Sequence, residues 1–429
     1  MTRDTQTPTP SPATAPAVFF TAFEPSGDAL AAPVIKALLE RRPDLKVYAI
    51  GGPLMAEAGA AIVERTSDDG AMGLSALGKV FAVRGIVSRT RRWSKQYRVL
   101  CHVPVDSPAA NFPLAKLMHQ RGAKIVHLAA PQLWAWGSWR LAKLKRLTSL
   151  VLCLLPFERR WFAERMVPAA FIGHPVMNRP FDETEATQRA ATLPRGGPKL
   201  LLLPGSRTSE VRRNIRMLAH VFMELQGRHQ GMAGLIVAAS PAIAELVRKR
   251  LPVFPTGLHM ISAHGAGLDG AIRWCDLAIA VSGTVTLDLT RQCKPMVGVY
   301  KTSLLSAIGA RIMLRTPYRL LPNIIAGREI APEFVPHAGG AGPIIEAAAT
   351  LLRDSRRLAE QSQELARIGE AYAGRHPAED AAEAILATIG TVPVAGAAGP
   401  GGGAKSAASS GGSRTAATQA SKSGNARAS

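Results

Sequence analysis

Residues 199–213 constrain the fold of this chain more than any other stretch. They start with four consecutive leucines, turn at Pro204, Gly205 and Ser206, and continue as a polar segment with helical character. A short, wholly apolar run of this kind is typical of a strand buried on both faces, as in a parallel sheet covered by helices. The stretch therefore predicts a strand, a tight turn and the start of a helix, which is the repeating unit of an α/β fold.

The turn at Gly205 is a candidate anion site. Glycine lets a ligand approach the backbone closely, the first N–H groups of a helix lack intrahelical acceptors, and Arg207 adds a permanent planar cation. A diphosphate suits these features. The spacing is neither a Walker loop nor a full dinucleotide fingerprint, so an ordinary strand-to-helix turn with an exposed arginine explains it equally well.

A second turn of the same type follows the apolar run 275–280. Ser282, Gly283 and Thr284 supply small residues before a helix, which predicts a second anion site at the same sheet edge. Asp288 comes four residues after Thr284 on the same helix face. A carboxylate at that position could hold the two hydroxyls of a ribose.

The rest of the second half is less specific. Residues 321–327 are interpreted as a loop in which Asn323 offers both a donor and an acceptor. Residues 341–391 have a helical pattern, and the Gly/Ala/Ser-rich tail after Pro393 has the composition of a flexible linker.

The first half opens with the same strand and turn pattern. Residues 18–42 predict a buried strand, a turn at Ser26, Gly27 and Asp28, and an amphipathic helix, and residues 46–50 predict a second strand. This is the start of a doubly wound domain, in which ligands gather at the carboxyl ends of the strands. For either Ser26 or Asp28 taken alone, capping of the following helix is the favoured alternative.

Asp106 is the candidate catalytic residue of the first half. It directly follows the predicted strand 99–105 and precedes a proline turn, so its carboxylate is well placed to act as a general base, although a helix cap is an equal alternative. Trp134, Trp136 and Trp139 cluster after the predicted strand 124–128, and each buried indole needs a hydrogen-bond partner.

His174 lies between a glycine and a proline. It could act as a catalytic acid, but the residues favour a positioned contact at a hinge.

Charge and cysteine content bound the partners and the compartment. The net charge is +21, and only four of the positive charges lie in the tail after Pro393, so the folded part attracts nucleic acid, anionic lipid or phosphorylated substrates. The four scattered cysteines indicate thiols in a reducing compartment. Residues 1–16 lack an apolar signal core, and no apolar run approaches the roughly 20 residues of a spanning helix, so we expect a cytosolic chain.

Residues 84–98 form a basic segment that contains no acid and carries apolar residues between its cations. On a helix this gives a basic face beside an apolar face, as in a segment that lies on a membrane surface. A solvated basic helix packed on the core by its apolar face is the alternative. No nucleic-acid module is recognisable, so nucleic acid is not an expected partner. The residues expected to face the membrane are Arg84, Arg89, Arg91, Arg92 and Trp93.

Taken in order, these segments resemble the lipid-A-disaccharide synthase family from about residue 18 to residue 390. The matching motifs are Glu24-Pro25-Ser26-Gly27-Asp28, Gly52-Pro53 with Met55, Ala71-Met72-Gly73, Asp106-Ser107-Pro108, Pro131-Gln132-Leu133-Trp134-Ala135-Trp136, Leu155-Pro156-Phe157-Glu158, Phe171-Ile172-Gly173-His174-Pro175, Leu203-Pro204-Gly205-Ser206-Arg207, Ser282-Gly283-Thr284, and Leu321-Pro322-Asn323 through Arg328-Glu329.

The resemblance implies an α/β fold with two Rossmann-like domains facing a cleft, the GT-B architecture. We expect a disordered tail (1–16), an acceptor and membrane-facing domain (17–175), a connection (176–198), a UDP-sugar domain (199–345), C-terminal helices packing back on the first domain (346–392), and a disordered tail (393–429).

The resemblance also implies a reaction. It is the inverting transfer of 2,3-diacylglucosamine from UDP-2,3-diacylglucosamine to 2,3-diacylglucosamine 1-phosphate, without a metal or other cofactor, at the cytoplasmic face of the inner membrane. It leaves a homodimer open. The resemblance implies that Asp106 is the base. The residues implied to bind the donor are Gly205, Ser206, Arg207, Glu210, Ser282, Gly283, Thr284, Asp288 and Asn323. Those implied to lie on the acceptor side are Ser26, Gly27, Asp28, Asn111, Gln132, Trp134 and Trp136.

The chain departs from the family pattern mainly on the acceptor side. Ala109 and Ala110 replace a second acid and an aromatic residue, Gly137 replaces an arginine, and Asp288 replaces a glutamate. The segment before Asp106 is also several residues short. Two alternatives therefore stay open: another UDP-sugar transferase or epimerase of the same fold, and a non-catalytic paralogue that binds lipid or UDP-sugar. A nucleic-acid-binding protein is the least favoured function.

Overall fold

The computed structural model describes residues 16–66, 76–264, 267–302 and 316–390. The two predicted tails, apart from Pro16, and the Ala71-Met72-Gly73 motif lie outside the described residues.

The first half is a seven-stranded, wholly parallel sheet with helices between the strands, in the order β3-β2-β1-β4-β5-β6-β7. Its elements are β1 (Ala17–Thr21), α1 (Pro25–Arg41), β2 (Lys46–Gly51), α2 (Pro53–Glu57), β3 (Ala61–Arg65), α3 (Ala76–Trp93), β4 (Val99–Pro104), α4 (Pro108–His119), β5 (Lys124–Leu128), a helical turn (Ser138–Arg140), α5 (Leu141–Leu147), β6 (Leu150–Cys153), α6 (Pro156–Ala163), β7 (Ala169–Phe171) and α7 (Pro175–Asn178).

The second half repeats this plan with six parallel strands in the order β10-β9-β8-β11-β12-β13. Its elements are α8 (Glu183–Ala191), β8 (Lys199–Leu203), α9 (Thr208–Arg228), β9 (Ala233–Ala238), α10 (Pro241–Arg250), β10 (Leu258–Ser262), α11 (Gly267–Trp274), β11 (Leu277–Val281), α12 (Val285–Arg291), β12 (Met296–Lys301), α13 (Leu321–Ala326), β13 (Glu333–His337), α14 (Gly342–Arg353), α15 (Ser355–Glu370) and α16 (Pro377–Ile389).

The two sheets confirm the predicted pair of doubly wound α/β halves. The strand order reverses between β1 and β4 in the first sheet and between β8 and β11 in the second. Such switch points open crevices at the carboxyl ends of the strands, where ligands bind. Asp106 follows β4, and Arg207 follows β8, so both candidate residues lie beside a switch point.

The predicted strands are mainly the buried central ones; of the four edge strands, only β10 (Leu258–Ser262) was predicted. The leucines of β8 and all five residues of β11 are buried, which is the continuous apolar pattern expected of a central parallel strand. The missed strands β3, β7 and β13 lie at the edge of a sheet and consist mainly of half-exposed residues, so they have no apolar run to reveal them. The four cysteines are unpaired, and three of them are buried.

The C-terminal helices divide between the halves, which corrects part of the predicted arrangement. Of the C-terminal helices that the structure describes, α16 joins the core of the first half, where it packs on α1 and contributes Ala381, Ala382 and Ile385. The helices α14 and α15 pack on the second half through α9 and α12. Helix α8, in the predicted connection, packs on α11.

The link between the halves is apolar. Met177 of α7 packs with Leu287 of α12 and with Ile368 and Tyr372 near the end of α15. The Asn178 amide also donates a hydrogen bond to the Tyr372 carbonyl at 2.7 Å. The two chain crossings between the halves therefore pack against each other.

Candidate functional site

Asp106 begins a strained turn at the carboxyl end of β4. Asp106 and Ser107 have φ angles of 46° and 35°, in the left-handed region that residues with a Cβ seldom occupy. The Asp106 N–H donates to the Leu128 carbonyl at 3.0 Å, which ties the turn to β5. The residue itself is exposed. Two consecutive residues of this kind persist only where the surroundings hold them, and such strain is typical of functional sites.

A buried amide holds this turn from behind. Asn111 is fully buried in α4, and its Nδ2 donates to the carbonyls of Val105 at 2.9 Å and of Asp106 at 2.8 Å. Its Oδ1 accepts a hydrogen bond of 2.6 Å from the hydroxyl of Thr21, at the end of β1. Asn111, predicted on the acceptor side, is therefore a positioning residue that acts on the backbone of Asp106.

The network continues to His102, and its hydrogen-bond directions follow from the partners. Because the Thr21 hydroxyl gives its one hydrogen to Asn111, it must accept from Nε2–H of His102, 2.9 Å away. Burial lowers the pKa of His102 to about 3, so the ring is neutral. Sequence reasoning missed Thr21 and His102, since a single polar residue in an apolar strand carries no local signal of its partner.

Asp28 is a helix cap, but of α2 and not of its own helix α1, which was the predicted alternative. Its buried carboxylate accepts from the N–H groups of Gly52 at 3.0 Å, Leu54 at 3.0 Å and Met55 at 3.1 Å, at the start of α2. Asp28 thus joins the first two strand-to-helix turns rather than facing a ligand. Of its neighbours in the turn, Ser26 is exposed and Gly27 is buried.

Glu24 and Ser107 connect the two turns at the switch point of the first sheet. The Ser107 hydroxyl donates to the Glu24 carboxylate at 3.2 Å. The negative charge of Glu24 also makes the smallest contribution to the raised pKa of the Arg207 guanidinium. One hydrogen bond therefore joins the two turns at this switch point.

The tryptophan motif is organised by a buried acid, Glu158. The Trp134 indole N–H donates to Glu158 at 3.0 Å, and the N–H groups of Leu154 and Leu155 donate to its other oxygen. Burial raises the pKa of Glu158 to about 7. The predicted need for an indole partner is met, and the partner was missed, although a glutamate in the first turn of a helix often reaches back to the N–H groups that precede it.

The remaining aromatic residues of this motif lie closer to solvent. Trp136 is half-buried beneath the Arg140 guanidinium, whose carbon is 4.7 Å from the ring centroid. Gln132 is exposed, and its carbonyl accepts from the N–H groups of Ala135 and Trp136.

The donor turn after β8 is closed by Glu210. Gly205 has a φ of +104°, and a Cβ there would come within 2.6 Å of the Glu210 carboxylate. That buried carboxylate accepts from the N–H groups of Ser206 at 3.2 Å and Arg207 at 3.3 Å. The expectation that these N–H groups face a ligand is thereby corrected, because Glu210 occupies them.

Arg207 remains available to an anion. Its side chain is 68% exposed, and a hydrogen bond of 2.9 Å to Glu210 orients it and raises the pKa of its guanidinium. The N–H groups of Thr208 and Ser209, at the first two positions of α9, have no intrahelical acceptor. One oriented cation and two helix N–H groups form the anion-binding part of this turn.

The second donor turn is exposed, but its acid is not. Gly283 and Thr284 are exposed, and the Ser282 hydroxyl donates to the Arg319 carbonyl at 3.3 Å. Asp288 is buried and accepts a hydrogen bond of 3.1 Å from Arg179, in the connection.

Burial raises the pKa of Asp288 to about 6 in spite of Arg179. The contact with ribose hydroxyls predicted for it requires an exposed carboxylate, whereas this one joins the connection to α12.

Asn323 lies in a helix, α13, and not in the predicted loop. It is fully buried, and its Nδ2 donates to the Ala331 carbonyl and to Glu333 at 2.8 and 3.0 Å. Its Oδ1 accepts from the N–H groups of Ile330 and Ala331 at 2.9 and 3.0 Å. All four hydrogen-bonding positions of the amide are thus used within the protein, and Asn323 shapes the segment before β13.

His174 caps α7 in the structure. Its Nδ1 accepts a hydrogen bond of 3.1 Å from the Val176 N–H, and burial lowers the pKa of the ring to about 4. This arrangement agrees with the favoured hinge contact.

The basic segment packs on the core by its apolar face, which corrects the prediction for Trp93. Trp93 lies against Phe19 and Tyr97, with ring centroids 4.9 Å apart in each case, so it faces inward. Arg89 pairs with Glu64 of β3 at 2.5 Å. Arg84, Arg91 and Arg92 are exposed. Within the described ranges, every helix is too short or too polar to span a bilayer.

Comparison with known proteins places this geometry in a family. Residues 18–387 match the family profile described as lipid-A-disaccharide synthetase. The chain is 34% identical over 325 residues to the lipid-A-disaccharide synthase of Granulibacter bethesdensis, covering 75% of this chain and 82% of that one. It is 33% identical over 350 residues to the lipid-A-disaccharide synthase of Burkholderia mallei, covering 79% and 87%.

Solved structures share the fold at low sequence identity. The glycotransferase of kitacinnamycin aligns with a TM-score of 0.61 at 14% identity, over 89% of this chain and 100% of that one. The UDP-GlcNAc 2-epimerase from Neisseria meningitidis bound to UDP-GlcNAc aligns with a TM-score of 0.53 at 12% identity, over 87% and 99%. With two parallel sheets, a candidate turn at the switch point of each, and a family profile that spans both, the chain belongs to the lipid-A-disaccharide synthase family of glycosyltransferases.

Proposed function

We propose that this protein transfers 2,3-diacylglucosamine from its UDP conjugate to the 6-hydroxyl of 2,3-diacylglucosamine 1-phosphate, forming the β-1,6-linked disaccharide 1-phosphate and UDP. Family membership supports the reaction. The observation that carries the assignment of roles is the exposed carboxylate of Asp106, held in a left-handed turn by the buried amide of Asn111. A group fixed in this way is pre-organised to act on a reacting hydroxyl.

In the proposed step, the Asp106 carboxylate accepts the proton of the acceptor hydroxyl as its oxygen bonds to the anomeric carbon. The bond from that carbon to the diphosphate oxygen breaks on the opposite face, and configuration inverts. The departing diphosphate takes the electron pair, and its charge is stabilised by Arg207 and by the N–H groups of Thr208 and Ser209. Asp106 belongs to the first half and Arg207 to the second, which agrees with the acceptor binding to one half and the donor to the other.

The test compares wild type with Asp106→Asn, which keeps the size of the side chain but cannot accept the proton. Disaccharide formed from the two substrates is followed by mass spectrometry. We expect turnover to fall about 10²- to 10⁴-fold while donor binding is little changed. Asp44→Asn is the matched control. Asp44 lies just before β2, at the amino ends of the strands of the same sheet, whereas Asp106 lies at their carboxyl ends.

Two outcomes would change the proposal. A fully active Asp106→Asn variant would remove Asp106 from the mechanism and leave the enzyme in place. A folded wild type that binds UDP-sugar but forms no disaccharide would favour the non-catalytic alternative, which Ala109 at the position of the family's second acid keeps open.

We also propose that the protein works at the cytoplasmic surface of the inner membrane. Exposed Arg84, Arg91 and Arg92 on α3 support this, because basic side chains near a surface bind anionic lipid. The acyl chains of both proposed substrates support it as well.

A further inference from the structure

Four cations gather beside α4 on the first half of the molecule. Lys116 belongs to α4, Arg140 ends the short helical turn before α5, and Lys143 and Arg146 belong to α5. Burial lowers the pKa of Lys143, and the charges of Lys116, Arg146 and Arg140 lower it further. None of the four forms an ion pair with an acid in the part of the chain that the structure describes. The ion pairs found there involve other arginines and lysines.

Two of these cations are held in place by aromatic rings. The Lys143 ammonium lies 5.0 Å from the centroid of Phe112, a buried residue of α4. The Arg140 guanidinium carbon lies 4.7 Å from the Trp136 ring and 5.6 Å from the Trp139 ring. Cation–π contacts of this kind restrict the side chains to one region. The cluster is therefore pre-organised, unlike scattered lysines on a solvated helix.

Arg140 also has an unused donor. Its Nη1 is buried and makes no hydrogen bond to any group of the described chain. A guanidinium is always charged, and a buried N–H without an acceptor is costly, so such a group usually has a partner. The oxygens of a phosphate or a carboxylate match the planar donors of arginine, and of these two groups the proposed acceptor carries a phosphate.

We propose that the α4–α5 cationic site, formed by Lys116, Arg140, Lys143 and Arg146, binds the 1-phosphate of the acceptor sugar. This inference rests on the proposed function and names the acceptor group that the first half recognises. Donor diphosphate has its own cation, Arg207, on the other half.

The position of the site relative to Asp106 supports this assignment. Asn111, which holds the Asp106 turn, directly precedes Phe112, under which Lys143 lies. Phe112 comes four residues after the start of α4, or about 6 Å along the helix axis. In the acceptor, the 6-hydroxyl and the 1-phosphate project from opposite sides of one pyranose ring. A base at the start of α4 and cations one turn further along match that separation.

The test compares two acceptors, 2,3-diacylglucosamine 1-phosphate and the same lipid without phosphate, in neutral detergent micelles. For Arg140→Gln and Lys143→Gln we expect KM for the phosphorylated acceptor to rise about 10- to 100-fold, while KM for the phosphate-free acceptor and for the donor stays unchanged. Lys145→Gln is the matched control, since Lys145 is exposed on the same helix and does not act on Lys143.

Other results would overturn the inference. An equal rise of KM for both acceptors would mean that the variants disturb the site without removing phosphate recognition. An unchanged preference for the phosphorylated acceptor would show that the α4–α5 cationic site does not bind the 1-phosphate. Vesicles containing anionic phospholipid separate a second source of phosphate: loss of vesicle binding with acceptor preference retained would assign the cluster to membrane headgroups. If wild type forms no disaccharide, the proposed function fails, and calorimetric binding of the two acceptors still tests the site.

Discussion

Thr21→Val tests the hydrogen-bond network that holds the Asp106 turn. The substitution keeps the branched shape of the side chain but removes its hydroxyl. That hydroxyl donates to Asn111 at 2.6 Å and accepts from His102 at 2.9 Å, and all three residues are fully buried. Valine therefore leaves two buried polar atoms without partners, one acceptor and one donor.

The magnitude follows from these two losses. Each buried polar atom left without a partner costs about 1–3 kcal/mol, so the free energy of unfolding should fall by about 2–6 kcal/mol. This is a large part of the roughly 5–15 kcal/mol that stabilises a typical protein. It should lower the melting temperature of the protein by roughly 5–20 °C. Freed from Thr21, Asn111 also holds the Asp106 turn less firmly, and kcat should fall about 10-fold.

Thr21→Ser is the matched comparison. Serine keeps the hydroxyl but loses one buried methyl group, which costs about 1 kcal/mol. If hydrogen bonding dominates at this site, the order of stability is threonine, serine, valine, whereas packing alone would place valine above serine. Denaturant unfolding and kcat are measured for all three proteins. A valine variant that is more stable than the serine variant would refute the reasoning.

Three further predictions concern other parts of the molecule. Gly205→Ala should weaken UDP binding about 10-fold or more, because a Cβ at φ +104° meets the carboxylate that closes the turn, and unchanged affinity by calorimetry would contradict this. Native Glu158 keeps a proton that the unfolded chain releases, so the free energy of unfolding should fall by about 3 kcal/mol as pH rises from 5 to above 7. Glu158→Gln should flatten this dependence of the free energy of unfolding on pH. The same pH dependence in the variant and the wild type would reject the raised pKa. Replacing Arg91 and Arg92 by glutamine should release the protein from anionic vesicles, and the loss of binding should be larger at higher salt. Arg89→Gln should have a smaller effect, because Arg89 is already paired with Glu64. A wild type that does not bind such vesicles would contradict the membrane-surface hypothesis.

The sequence by itself determined the α/β class of both halves, most of their central strands and the positions of the principal turns. Central strands such as β8 and β11 are buried on both faces, so each must be a continuous apolar run. A turn must end each run, and glycines such as Gly205 adopt positive φ angles at little cost. These are local requirements, and they located Asp106 and Arg207 at the carboxyl ends of their strands before any contact was known.

Tertiary structure alone decided what most polar side chains do. Asp28 caps a helix 24 residues away, and Asp288 pairs with Arg179, which lies 109 residues away. Whether a carboxylate faces a ligand or another part of the protein depends on which distant group the fold brings within hydrogen-bonding distance. The spacing of residues along one helix does not predict which distant group that will be.

The basic helix shows the same limit for an apolar face. The alternation of cations and apolar residues in α3 is the same whether Trp93 meets a lipid or Phe19, because both bury the same surface. Only the packing of α3 on the first sheet distinguishes the two, and it places the indole inside. The hydrophobic effect has no direction of its own, so the partner is selected by the shape of the assembled core.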